Sequence, residues 1–339
     1  MTPTAGSEES APGSAESTGP DSRDSGPQPD PTGSGLRILI AGASGFLGTP
    51  LKVRFAELGH QVRRLVRRTP VTSSTEFHWD PSIGRINADA VNDVDVIINL
   101  AGPPVFTRPW SNARRELLRT ARIESTRLLA ETVVERYADN PSKPLWLQSS
   151  ATGWYGTRSG SEPYDESAPP AGDFLGQLAK DWEAATEQAA SAGVPVIFLR
   201  NGMVLDQSGS TLKLIKPVFQ LGFGGRIGSG DQHMPMISLH DWLRAVQFMI
   251  TERPAPGPYN ITIPDPPTNA EFTAALADLL GRKARLAAPS ALLRTALGEL
   301  AEQLTGDQYV APKALLAAGF AFDGPDVTST LQLALDRAR

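Results

Sequence analysis

The sequence predicts an α/β fold, a doubly wound parallel sheet followed by a smaller, mostly helical C-terminal domain. Three observations carry that expectation. Short apolar runs alternate with segments of helical periodicity from residue 37 to about residue 205, the pattern of repeated strand–helix–strand units. The first run, Arg37-Ile38-Leu39-Ile40-Ala41, enters the turn Gly42-Ala43-Ser44-Gly45-Phe46-Leu47-Gly48. Glycines at that spacing suit a tight turn, a close backbone approach to a pyrophosphate, and helix-on-sheet packing. Beyond Leu205 the alternation gives way to loops and short amphipathic helices.

Taken in order, the elements develop this outline. The glycine turn aims free N–H groups and the positive end of a helix at an anion. A plain strand-to-helix turn is the alternative, and Phe46, Leu47, Leu51, Phe55 and Leu58 at helical spacing favour the binding turn. A second strand over residues 62–66 ends at Arg67-Arg68. In a dinucleotide fold an acid there would chelate the ribose hydroxyls of NAD, whereas an arginine pairs with the 2′-phosphate of NADP. Arg67 therefore favours NADP, with a solvated basic strand end as the alternative. After an extended piece at residues 76–79, residues 94–102 form a nearly continuous apolar strand suited to burial on both faces. Its end, Leu100-Ala101-Gly102, would border the crevice at the strand carboxyl ends.

A long helix over residues 110–137 places Leu117, Leu118, Ala121, Leu128, Leu129 and Val133 on its apolar face and Arg114, Arg115, Arg119 and Arg122 in a basic stripe. A strand over residues 145–148 reaches Ser149-Ser150-Ala151-Thr152-Gly153-Trp154-Tyr155-Gly156, and a polar loop follows through Glu162, Tyr164, Asp165 and Glu166. A helix over residues 172–192 carries Lys180, Trp182 and Glu183, and a strand over residues 195–199 ends at Arg200-Asn201-Gly202. Residues 221–230 read as a flexible glycine-rich loop. Ser238 with Asp241 and Thr268 with Glu271 form helix caps, and a returning strand near residues 258–262 can join the sheet. The expected division is a disordered tail over residues 1–35, a dinucleotide-binding domain over residues 36–204 and a substrate-side helical domain over residues 205–339.

Composition excludes several classes of function. The chain has no cysteine, which removes disulfides, thiolate metal sites and cysteine nucleophiles and fits a reducing compartment. No apolar run is long enough to span a membrane, and no signal-peptide core is present, so the expected location is cytoplasmic. Six acids and one base precede Leu36, which accounts for the whole formal charge of −5. The balanced remainder offers no bulk footprint for nucleic acid. The four histidines, His60, His78, His233 and His240, lack metal-ligand spacing, so no metal is expected. His233 and Met234, after the glycine-rich loop, are candidates to line a pocket.

The chain resembles the extended short-chain dehydrogenase/reductase superfamily, and within it the NAD-dependent epimerase/dehydratase-like branch that ends in a small C-terminal domain of undefined role. The resemblance rests on the turn at residues 42–48, His78-Trp79-Asp80-Pro81, Asn99-Leu100-Ala101-Gly102, the Ser150 to Gly156 segment, the loop at residues 222–230 and Thr268-Asn269-Ala270-Glu271-Phe272. It implies a Rossmann domain, bound NADP (NADPH) and a pocket between the sheet edge and the C-terminal part. By this resemblance Gly42, Ser44, Gly45, Phe46, Leu47 and Gly48 would hold the pyrophosphate, Arg67 the 2′-phosphate, and Leu100, Ala101 and Gly102 the adenosine side. Arg122 would face the cofactor and Val204 the nicotinamide.

The superfamily's chemistry uses a Ser or Thr, a Tyr, and a Lys four residues after that Tyr, the cation lowering the phenol's pKa for proton exchange. Here the pattern departs. Ala151 stands at the Ser/Thr position, Phe174 or Leu175 at the Tyr position, and Leu178 or Ala179 at the Lys position. Tyr309-Val310-Ala311-Pro312-Lys313 matches the spacing but contains a proline and lies in the C-terminal part. Ser150, Thr152 and Tyr155 are the candidate substitutes for proton transfer, with Lys180 behind them. The leading expectation is an NADP-binding oxidoreductase or epimerase-type enzyme acting on an unidentified small-molecule substrate, with a homodimer as an open assembly. The alternative is a non-catalytic NADP-binding regulatory or scaffold protein.

Overall fold

The structure is a computed structural model that describes residues 35–72, 74–106, 109–157, 162–284, 286–289, 295, 298 and 300–336. The tail expected over residues 1–35 lies outside the described residues except for Gly35. Gly35 abuts the Gly59 carbonyl so closely that a Cβ would lie 1.9 Å from it.

Strand β1 (Arg37–Ala41) sends Ile38 and Ile40 into one core and Leu39 and Ala41 into another. Burial on both faces explains its unbroken apolar run. Helix α1 (Gly48–Glu57) leads to β2 (Gln61–Val66), then β3 (Glu76–Asp80), both added in parallel, and β4 (Arg85–Ile86) folds back antiparallel on β3. The chain then crosses to the other side of β1. Strand β5 (Val96–Asn99) pairs with β1, helix α2 (Asn112–Tyr137) follows, and β6 (Leu145–Ala151) pairs with β5. A short 3₁₀ turn (Thr152–Tyr155) precedes α3 (Phe174–Ala184), α4 (Glu187–Ser191) and β7 (Val196–Asn201). Beyond β8 (Met203–Leu205), α5 (Ser210–Gln220), β9 (Gly225–Ile227), β10 (Met236–Ser238) and α6 (Leu239–Glu252), strand β11 (Gly257–Ile261) returns to the sheet beside β7. The remaining elements are α7 (Asn269–Leu279), β12 (Leu286–Ala288), α8 (Leu300–Thr305), α9 (Lys313–Ala317) and α10 (Val327–Leu335).

The eight-stranded sheet thus runs β11-β7-β6-β5-β1-β2-β3-β4, and the winding reverses between β1 and β5. Helices α1 and α6 cover one face through Leu51, Phe55, Trp242 and Met249, and α2 covers the other through Leu129, Val133 and Tyr137. A third core joins β8 and β10 to α5, α7 and α10 through Leu205, Met236, Phe219, Leu276 and Leu331.

Three local differences from the sequence reading have physical causes. The helix expected over residues 172–192 is broken because Thr186 turns its Oγ1 (2.8 Å) and N–H (3.1 Å) back onto the Glu183 carbonyl, closing a tight turn in place of the helical ladder. The loop expected over residues 221–230 contains β9, which pairs with β12 only because Gly225 has no Cβ; one would lie 2.2 Å from the Leu286 carbonyl oxygen. On α2, Leu117 is exposed and Arg122 buried, so the inward face at the sheet's carboxyl edge is polar and the apolar stripe begins one position later, at Leu118.

The C-terminal segment is fastened by Asp241, which is fully buried at the start of α6. Its carboxylate accepts from Asp323 N (3.1 Å), Gly324 N (2.8 Å) and Arg244 Nη1 (2.8 Å). Asp241→Ala orphans those amides and should lower unfolding free energy by about 2–3 kcal/mol. Asp323→Ala, which removes only half-exposed contacts, should cost under about 1 kcal/mol. Denaturant titration of the two variants against the parent chain checks the contrast.

Candidate cofactor and active site

The site is built where β1 and β5 part. Gly42 has φ +83°, and a Cβ there would lie 2.7 Å from the Leu100 carbonyl oxygen; one on Gly48 would lie 2.3 Å from the Gly42 carbonyl oxygen. Both positions therefore demand glycine for the turn and the helix to pack. Gly45 differs. A Cβ there would crowd only the Gly42 carbonyl oxygen, at 3.3 Å, and the residue is exposed, which suits a close ligand approach. Helix α1 starts at Leu47 with no side-chain cap and no acid in its first turn, leaving its amide end to an external anion. Ser44, Phe46 and Leu47 lie on this turn, with Phe46 partly exposed.

The end of β2 separates two arginines that the sequence left adjacent. Arg68 grips Glu76 through Nη1 (2.9 Å) and Nη2 (2.6 Å), and Arg64 reaches the same carboxylate at 2.9 Å. The Arg68 hydrogen bond, joined by the Val71 amide, holds the Glu76 carboxyl down at about 2. Arg67 is exposed and makes no hydrogen bond or close ion pair among the described residues, its charge acting at longer range on the Asp80 carboxyl.

At the end of β5, Asn99 Nδ2 donates to Thr126 Oγ1 and Gln148 Oε1, both at 3.0 Å, while its Oδ1 accepts from Ala101 N at 3.1 Å. This fixes the Leu100-Ala101-Gly102 backbone. Gly102 packs on Arg122, whose Cζ would lie 3.1 Å from a Cβ. The buried Arg122 guanidinium donates to the Leu118 carbonyl (3.1 Å) and the Pro103 carbonyl (2.8 Å) and lies over Trp182 at 4.9 Å. Burial first, then the charge of Arg114, lowers it to about 10. Arg122 thus braces the loop after β5. Val204, on β8, is half-buried against the first core.

The three candidate hydroxyls fall into different surroundings. Ser150 Oγ donates to Glu183 Oε1 at 2.6 Å. Tyr155 is fully buried, donates to Asn260 Oδ1 at 2.7 Å and accepts from Arg200 Nη1 at 3.0 Å. Burial, only partly offset by Arg200, pushes its phenol up to about 12. Thr152 is buried but makes no hydrogen bond with its hydroxyl among the described residues. Ser150 and Tyr155 belong to one network. Arg200 holds Glu183 bidentately at 2.9 and 3.0 Å and stacks 3.7 Å over Trp154. Glu166 accepts from Asn260 N (2.9 Å) and Ala314 N (3.1 Å). The sequence reading named Glu183, Arg200 and Glu166 without giving them roles; charged residues beside Trp182 and after the apolar run of β7 were the available signal.

On α3, Leu175 packs under Gly153 and is buried with Leu178 and Ala179, while Lys180 is exposed. Phe174 turns to a cavity of about 290 Å³ lined also by Trp110, Thr157, Asp173, Glu302 and Gln303. Another cavity, of about 540 Å³, lies between the β3–β4 edge and α2, away from the strand carboxyl ends. In the C-terminal Tyr-x-x-x-Lys segment, Tyr309 stacks on His233 and Lys313 pairs with Asp165 at 2.9 Å, so the two side chains serve different contacts.

A doubly wound sheet with a glycine-lined, uncapped helix start at its switch point defines a dinucleotide-binding α/β protein. The particular family follows from comparison. Residues 38–262 match the NAD dependent epimerase/dehydratase family and residues 288–334 match a domain of unknown function (DUF1731); the chain belongs to that epimerase/dehydratase family. It is 40% identical over 301 residues to epimerase family protein Mb2239 of Mycobacterium bovis, covering 88% of this chain and 98% of that one. The crystal structure of human epimerase family protein SDR39U1 (isoform 2) with NADPH is similar at 29% identity and TM-score 0.79, covering 88% of this chain and 99% of that chain. A nucleoside-diphosphate sugar epimerase from Corynebacterium glutamicum is similar at 30% identity and TM-score 0.73, covering 89% of this chain and 58% of that chain. No helix among the described residues is long and apolar enough to cross a membrane.

The Glu76 clamp predicts an acid dependence. Its folded-state pKa lies below the ordinary 4.5, so its contribution is complete above that value and is lost as pH falls from 4.5 toward about 2. Glu76→Gln should be less stable than the parent chain at neutral pH, with the gap narrowing through this window. Denaturant midpoints measured as a function of pH check it; a gap independent of pH would dissociate Glu76 from acid stability.

Proposed function

We propose that this chain is an NADP-dependent oxidoreductase or epimerase-type enzyme acting on a small-molecule substrate. The observation that carries the reading is Arg67, an exposed cation with no hydrogen bond or close ion pair among the described residues, at the end of β2 beside the Gly42 turn. The turn suits a pyrophosphate, and a free guanidinium beside the adenosine ribose suits a 2′-phosphate. The human relative solved with NADPH supports the same choice.

In this reading the amides of residues 44–48 take the pyrophosphate and Arg67 the 2′-phosphate. The Leu100 to Gly102 backbone, braced by Asn99 and Arg122, borders the adenosine side, and Val204 packs near the nicotinamide. The nicotinamide, when bound, supplies a hydride donor or acceptor. The substrate enters by the cavity beside Trp110 and Phe174. Ser150 and Tyr155 hold the scaffold through Glu183, Arg200 and Asn260, and Thr152 is the hydroxyl left to meet a ligand. The cysteine-free sequence supports a cytoplasmic location.

A second reading, a non-catalytic NADP-binding regulatory or scaffold protein, is favoured by Leu175, Leu178 and Ala179 standing buried where the superfamily places its Tyr and Lys. Both readings require NADPH to bind more tightly than NADH. Arg67→Ala should erase a preference of about 10- to 100-fold, as measured by cofactor fluorescence titration. Equal affinity of the parent chain for the two cofactors would refute the assignment. Turnover across a carbonyl and nucleotide-sugar panel, lost in Thr152→Val and kept in Tyr155→Phe, separates the enzyme from the scaffold.

A further inference from the structure

The C-terminal domain of unknown function contributes a side chain to the site region. His233, between β9 and β10, directs Nδ1 at Asp307 Oδ1 (2.8 Å), and its backbone N–H donates to the same oxygen at 2.7 Å. The ring stacks on Tyr309, with centroids 4.0 Å apart and planes 14° from parallel. Its Nε2 makes no hydrogen bond among the described residues, and the side chain is 25% exposed. Asp307 is 17% exposed. A carboxylate on Nδ1, an aromatic wall fixing the ring plane and a bare Nε2 together form an oriented acid–base imidazole.

Its position ties it to the cavity. The Gln308 amide donates to the His233 carbonyl (3.3 Å), and the Gln308 side chain donates to Gln303 (3.2 Å), which lines the cavity with Glu302. Gly306 packs on Thr157, another lining residue, at a distance where a Cβ would lie 2.4 Å from Thr157 Cγ2. On the opposite side, Pro235 follows His233 by two residues and its carbonyl abuts Gly202 and accepts from Met203 N at 2.8 Å. Asp307 therefore sits between Gly306 and Gln308, which contact lining residues of the cavity, and His233 lies two residues from the contact with β8. The charged and titratable groups around His233 are Asp307 and Tyr309 on the C-terminal segment, Glu271 at the start of α7, whose carboxyl feels the His233 charge, and Asp231 on its own loop.

We propose that His233 Nε2 is the group that exchanges a proton with the substrate, and that the C-terminal domain serves to supply Asp307 as its orienting carboxylate. The substrate class is a carbonyl or secondary alcohol. This rests on the NADP-dependent reading above. In the reductive direction a bound reduced nicotinamide would supply the hydride to the carbonyl carbon, the C=O π pair would move to oxygen, and His233 Nε2 would give that oxygen its proton. The carbonyl is reduced to an alcohol, the nicotinamide is oxidised, and the imidazole is left neutral with its Nδ1–H on Asp307. Oxidation runs the same transfers in reverse.

The test uses the full chain with NADPH and 9,10-phenanthrenequinone as the carbonyl probe, followed by NADPH absorbance across the imidazole titration range. The parent chain should turn the quinone over with an imidazole limb in its pH profile. His233→Gln should fall by about 100-fold or more and lose that limb while binding NADPH as before, and free imidazole should restore turnover to His233→Ala. Nitrogen NMR of the neutral His233 ring should show the Nδ1–H tautomer in the parent chain and its loss in Asp307→Asn. Full activity with an unchanged profile in His233→Gln overturns the proposal. So does a loss that imidazole does not rescue, which would mark the dyad as a tether for the C-terminal segment. NADPH binding without quinone turnover overturns the dyad's role and leaves the cofactor assignment standing, whereas failure to bind NADPH removes both.

Discussion

The buried ion pair between Arg200 and Glu183 is the contact through which the site region holds together. Each of the five donors of an arginine needs an acceptor once water is excluded, and here Glu183 takes two, Tyr155 OH and the Glu166 carbonyl share a third nitrogen, and the Trp154 face covers the plane. Burial works against the Arg200 charge, yet Glu183 more than offsets it and the pKa is raised. The pair joins β7 to α3, and through Ser150, Tyr155 and Asn260 it also joins β6, the 3₁₀ turn and β11. Losing one partner of such a pair typically costs about 3–5 kcal/mol, more than the pair itself contributes. Its value lies in fixing geometry.

That network also explains how the C-terminal segment is positioned. Asn260 passes a hydrogen bond to the Ala311 carbonyl (2.9 Å), Glu166 receives the Ala314 amide, and Tyr164 exchanges backbone hydrogen bonds with Tyr309 (2.8 Å) and Ala311 (2.9 Å). Asp241 does the same for residues 323 and 324 from the side of α6. Residues 311–324 are thus held at both ends by carboxylates, Glu166 and the buried Asp241, and Asp307 lies just before the first of these anchored residues.

The sequence displayed the parts of this structure that depend on local pattern. The β1 run, the glycine turn, the β5 run and the two helix caps each announce themselves within a dozen residues, because strand burial, φ sign and capping are decided by neighbours along the chain. What stayed hidden depends on residues far apart. Arg68 looked equivalent to Arg67 until Glu76 claimed it. The short strands β8, β9, β10 and β12 carry no period long enough to detect and exist through pairing with each other. Arg122 read as part of a basic stripe, turned toward a cofactor only by resemblance, because a helical wheel does not record that Gly102, at the end of β5, leaves a space the guanidinium fills.

The same division runs through the catalytic question. A backbone cradle for a dinucleotide is specified by glycine positions on one turn, and it survives while nearby side chains change. A proton-transfer group has a different requirement. It needs a partner that fixes its tautomer, and any side chain with such a partner at the same crevice can serve. In this chain the phenol beside the sheet is committed: Tyr155 donates its hydrogen bond to Asn260, and burial holds it far from neutral titration. The helix positions for the usual Tyr and Lys hold Phe174 or Leu175 and Leu178 or Ala179, and Leu175 packs under Gly153. The imidazole of His233 has the opposite character, with one nitrogen secured by Asp307 and the other without a hydrogen bond among the described residues. An imidazole before β10, oriented by a carboxylate of the C-terminal segment, suits proton exchange better than a donor already satisfied within the sheet.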